Sequence, residues 1–154
     1  MLADPALQRH FGQGTTLLVG TAGAGGMPAC CRAVGLSALS PTRVVVYLPI
    51  ATAAETVANL ATNGRIALVS SFQVDHATIQ LKGRSRAVRV ARDEERAVIE
   101  EWVEKFAGNV SAMGLPRSHA LSLTRWPAFA VEVEVEAAFD QTPGPRAGEA
   151  VRQR

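Results

Sequence analysis

Sulfur, aromatic rings and charge are all scarce in this chain. Of its 154 residues only two are cysteine, and Cys30 and Cys31 are adjacent. Neighbouring cysteines cannot clip a loop-rich secreted fold together, so a cytoplasmic protein is expected. On an extended segment they point to opposite faces, which places at least one in the core and argues against a redox pair of the Cys-x-x-Cys kind. Aromatics make up 5% of the chain, too few to interleave with the basic run Arg84, Arg86, Arg89 and Arg92 as a stacking platform. The formal net charge of +2 is small, and no nucleic-acid partner is expected. The longest apolar run, Val44–Ala54, contains Pro49 and is too short for a bilayer, and no basic segment feeds a long apolar core as in a signal peptide. No membrane association is expected. His10, His76 and His119 are scattered and lack ligand spacing, so no metal site is assigned. Without a strand–turn–helix nucleophile signature, no catalytic residue is assigned either.

What is present is a β-rich chain, 47% hydrophobic, that reads as a single domain over residues 1–139 followed by a Pro/Gly/Arg-rich tail, 140–154. Asp4 and Pro5 open a short helix that ends near Gly12. Thr15–Thr21 is a strand apolar on both faces at its centre, and Gly23–Gly26 is a hairpin turn. Pro28–Ser40 is a second strand, and Arg43–Leu48 a third, buried on both sides. Thr52 and Glu55 have the spacing of a capping box for a helix that Asn63–Gly64 closes. Arg65–Ser71 and Ala77–Val90 are strands, with Gly83 marking a bend or bulge. From Asp93 a longer helix turns Val98, Ile99, Trp102, Val103 and Phe106 to one side. In the last strand Val131, Val133 and Val135 face in while Glu132, Glu134 and Glu136 face out. Six strands interrupted by a short and a longer peripheral helix predict a mainly β fold, a small barrel or half-barrel and not a doubly wound sheet. A chain this small and apolar is expected to be a homodimer.

Candidate ligand contacts follow from side-chain chemistry. The long strand has a polar face, Thr78, Gln80, Lys82, Arg84 and Arg86, that reads as a solvated face, one that pairs with Glu132, Glu134 and Glu136 if those strands are neighbours, or a ligand face on which Thr78 and Gln80 offer a hydroxyl and an amide to a ring or phosphate. Arg32 precedes small residues, Ala33 to Gly35, which leave room for a phosphate that its guanidinium can bind bidentately. The helix start near Thr52 offers unpaired N–H groups to an anion, against the charge of Glu55. Trp126, before Pro127, could stack on a ligand or lie in the core.

The order of several segments resembles the pyridoxamine 5'-phosphate oxidase-like, FMN-binding split-barrel family. They are Gly26–Pro28, Arg43–Pro49, Asn59–Leu68 and Ala77–Gly83, and the likeness spans Thr15–Val90. The resemblance implies a six-stranded split barrel that pairs as a homodimer, with FMN in two equivalent clefts at the interface. It implies that Cys31–Leu36, with Arg32 and Ala33, run along the flavin and its phosphate. It also places Pro49 and Ile50 beside the ring, Thr78 at the position of a ring-contacting glutamine, and Trp126 across the interface. Where the family's phosphate site reads Ser-Arg-Lys, this chain reads Ala54–Glu55–Thr56, so two cations are missing and only the Thr56 hydroxyl remains. Arg32 or Arg146 would have to compensate, or the site is adapted to another ligand such as a deazaflavin. The implied function is an FMN-dependent oxidoreductase acting on a small molecule. The alternative is a non-catalytic flavin-binding protein, or a homodimeric barrel with a degenerate cofactor site. The C-terminal tail would then cover a cofactor edge or bind across the dimer.

Overall fold

The structure, a computed structural model, describes Leu2 and residues 4–151. Its elements run α1 (Pro5–Phe11), β1 (Thr16–Ala22), β2 (Pro28–Ala33), β3 (Leu36–Ser40), β4 (Arg43–Pro49), α2 (Ala54–Asn63), β5 (Arg65–Ser71), β6 (Thr78–Val90), α3 (Arg96–Ala112), α4 (Arg117–Leu121) and β7 (Ala128–Asp140). All seven strands join one antiparallel sheet in the order β2-β1-β5-β6-β7-β4-β3.

This corrects the expected six-stranded split barrel. The segment Pro28–Ser40 is two strands, because Val34 and Gly35 leave the β2 ladder and hydrogen-bond instead to Tyr47. Gly35 lies so close to the Tyr47 ring that an added Cβ would sit 3.1 Å from Cδ2. The edge strands β2 and β3 are therefore consecutive in the chain yet unpaired with each other, and the sheet is open, not closed into a barrel. Four α-helices are found among the described residues, since the expected opening helix, α1, and the short α4 accompany the two that interrupt the strands. Each strand finds its ladder partners within the one chain, so the architecture itself does not call for the homodimer.

The strand β4 is buried on both faces, as its run of β-branched residues predicts. Val44, Val46 and Leu48 enter the main core with Leu17, Val19, Leu68, Leu81, Val131 and Val133. Val45 and Tyr47 enter a second core against Ile99 of α3, Ala128 and Ala130. The long helix α3 docks by its apolar side and by polar contacts to the α1–β1 turn. Trp102 Nε1 donates to the Thr15 carbonyl at 3.2 Å, and Asn109 Nδ2 to the Gln13 carbonyl at 2.7 Å. Its start is tied to β6 by Arg89, whose guanidinium donates to both Glu95 oxygens at 2.6 and 2.7 Å. That paired arginine, first of all, holds the Glu95 carboxyl down at about 2.

The capping box at Thr52 and Glu55 is not formed. Residues Ile50–Thr52 make a 3₁₀ turn, the helix cap is Ala53, and the Thr52 hydroxyl donates back to the Pro49 carbonyl at 3.4 Å. The other end follows expectation, with Gly64 in the left-handed conformation at φ 67°. The tail turns back on its own sheet: Val151 N donates to the Ala138 carbonyl and Gly148 N to that of Asp140. Residues 152–154, the end of the expected tail, lie outside the described residues.

Candidate functional site

The cross-strand register builds one open sheet face from residues far apart in sequence. Directly paired residues share a face. Arg32, Leu18, Val69, Gln80 and Phe139 thus form one row across β2-β1-β5-β6-β7, and Cys30, Gly20, Ala67, Lys82 and Ala137 form the next. Thr16, Ser71 and Thr78 flank the first row. The opposite face, with Cys31, Val19, Leu68 and Leu81, belongs to the main core. The two cysteines accordingly part, Cys30 exposed and Cys31 buried. Burial pushes the Cys31 thiol up, with the Thr56 hydroxyl beside it pulling the other way.

Beside the second row the face sinks into a cleft of about 730 Å³, within the size range of small-molecule sites. Its floor is small or apolar, Gly20, Ala22, Ala29, Ile66 and Ala67, and its rim carries Arg65, Lys82, Arg84 and Glu136. The β6–β7 ladder shifts register between Lys82 and Gly83, where Glu136 is the extra residue on β7, while β6 keeps its register with β5 through Arg84. Arg84 Nε lies 3.3 Å from Glu136 Oε1, so the outward glutamates of β7 do meet the basic side of β6. Lys82 Nζ stands 5.0 Å from the centre of the Phe139 ring.

The residues singled out from sequence are dispersed over this framework. Three of them, Arg32, Thr78 and Gln80, share the open face. The Arg32 guanidinium lies 5.3 Å from the Phe106 ring centre and has no ion pair among the described residues. The Thr78 hydroxyl contacts Ser71 Oγ at 2.8 Å and donates to the His76 carbonyl, while Gln80 Oε1 accepts from Gln141 Nε2 at 3.3 Å. Ala33 is buried on the core side, and Thr56 is 1% exposed. The crevice that Arg32 and Ala33 line under α3 has only about 10 Å³ of room. Pro49, Ile50 and Trp126 gather elsewhere, where β4 meets the start of β7. There the Ile50 N–H donates to the Pro127 carbonyl, and Trp126 packs on the second core beneath the Arg96 guanidinium.

None of these eight lines the large cleft. Lys82 and Arg84 belong to the polar face that the sequence shows on the long strand, but their meeting with Arg65 and with the floor depends on strand pairing and has no sequence signal. Among the described residues no three His, Cys, Asp or Glu side chains converge as a metal site would need, and no helix is long and apolar enough to cross a membrane.

No family model matches the chain, and no curated protein matches its sequence. Solved structures do match its fold. A Lactobacillus delbrueckii protein assigned as a pyridoxamine 5'-phosphate oxidase is 17% identical over 81% of this chain and 84% of its own, with a TM-score of 0.51. An FMN-binding protein from Syntrophomonas wolfei is 10% identical over 86% of each chain, with a TM-score of 0.53. HutZ, the heme storage protein of Vibrio cholerae, is 14% identical over 91% of this chain and 95% of its own, with a TM-score of 0.51. One of these binds FMN and another stores heme, so the likeness settles the framework and leaves the ligand to the site. The chain shares the fold of the pyridoxamine 5'-phosphate oxidase-like structures.

Proposed function

We propose that the protein binds FMN on the open face of β2-β1-β5-β6 and works as a flavin-dependent oxidoreductase on a small molecule. One observation supports this above the rest: an apolar platform, Leu18 and Val69, is flanked in its own row by an arginine without an ion pair and by an amide. Leu18 is 39% exposed at its centre. A planar ring suits that platform, Arg32 suits its phosphate, and Gln80 and Thr78 suit the polar edge of the ring. Ala33 and Thr56 support the face from the core side. Pro49, Ile50 and Trp126 would reach the ring only from the partner in a homodimer built on this face. When bound, flavin supplies the hydride chemistry, and the protein contributes position, exclusion of water and charge.

An absorbance spectrum of the purified protein tests the reading, with mass analysis of any ligand released on denaturation. Flavin bands and the mass of FMN are expected. A colourless protein that leaves the fluorescence of added FMN unquenched would refute it, and the mass separates FMN from a deazaflavin. Bleaching by NADH or NADPH with recovery in air distinguishes an oxidoreductase from a protein that only holds flavin.

A further inference from the structure

We infer that the cleft beside the flavin face is a separate site for the oxyanion group of a small, flat organic molecule, gripped by Arg65 and Arg84 with Lys82 at hand. This rests on the flavin reading only in making that molecule the substrate; the site itself follows from the cleft.

Arg65 and Arg84 are directly opposed across the β5–β6 ladder, and like charges in that position repel. Arg84 is relieved by Glu136 at 3.3 Å and donates to the Asn63 carbonyl at 3.4 Å. The Arg65 side chain has no ion pair among the described residues, and Lys82 adds a third cation on the same rim. Three positive groups therefore line the cleft with one carboxylate, Glu136, while Glu134 stands opposite Arg84 on β7 outside the lining. A phosphate or carboxylate placed between the two guanidinium forks answers that excess, because each fork can donate two parallel hydrogen bonds. The floor argues for more than an inorganic ion. Gly20 lies open, with nothing within 4 Å of where its Cβ would be, and Ala67 opposite it carries only a methyl group. An apolar body attached to the anion would cover both.

Calorimetric titration with 1-naphthyl phosphate and, separately, with inorganic phosphate at low ionic strength tests this. The naphthyl ester should bind one site per chain, more tightly than inorganic phosphate. Arg65→Gln or Arg84→Gln should weaken it about tenfold, while Arg117→Gln, at a distant Arg–Glu pair, should not. Gly20→Leu fills the floor without changing charge, and should weaken the naphthyl ester but not inorganic phosphate. Unchanged affinity in both Arg65→Gln and Arg84→Gln, or no saturable binding to the wild type, overturns the inference. A colourless protein that binds the ester through these arginines supports this site while removing the flavin reading. A yellow protein whose binding ignores them does the reverse.

Discussion

His10 is a titratable side chain folded almost wholly out of water, 8% exposed. Its Nε2–H donates to the Ser70 carbonyl at 3.0 Å, and burial outweighs both that bond and Asp75 in lowering its pKa below the ordinary 6.5. The folded state thus prefers neutral imidazole, and the unfolded chain takes up a proton first as pH falls. Stability from this group is complete above 6.5 and declines as pH drops through that value towards the lower folded pKa. Denaturant midpoints measured between about pH 7.5 and about pH 5 should fall with acidity in the wild type. His10→Gln keeps a donor for Ser70 without a titrating ring, so its midpoint should fall less. Parallel curves for the two proteins would show that another group sets the dependence.

Among the elements, β6 carries the heaviest constraint, since it supplies Lys82 and Arg84 to the rim of the cleft and presses Gly83 against β7. A Cβ on Gly83 would overlap the Glu134 carbonyl of β7. Neither backbone can retreat without breaking the ladder that fixes Lys82 and Arg84. Gly83→Ala should therefore cost about 3 kcal/mol of stability, read as a drop in denaturant midpoint. Gly20→Ala, on the open face of β1, should cost far less. Equal losses at the two glycines would contradict the close β6–β7 approach. The glycine was visible in the sequence as a bend within a period-two strand. Its neighbour across the sheet was not, because the contact lies 51 residues away along the chain.

For the whole molecule, the open face has two consequences that no single strand has. It gathers three segments, around Arg32, Arg65 and Lys82, into one surface, and it leaves Leu18 in solvent. If a second copy covers that surface, Leu18→Glu should shift the protein to monomer in sedimentation velocity. It should do so without unfolding the chain, because the side chain is already exposed there. A wild type that sediments as a monomer at micromolar concentration would rule out the homodimer.

Local pattern determined much of this protein. The β-branched run of β4, the alternating valines and glutamates of β7 and the Asn63–Gly64 stop each act through neighbours a few residues away, and each is found where the sequence places it. Tertiary structure decided the rest. Gly35 splits one expected strand in two because the Tyr47 ring packs over it, and the Thr52 hydroxyl turns to Pro49 because a 3₁₀ turn replaces the expected cap. Arg65 and Arg84 face each other only because β5 and β6 pair in one register. Propensity is a property of short segments, whereas a site made of cross-strand neighbours exists only once the register is fixed.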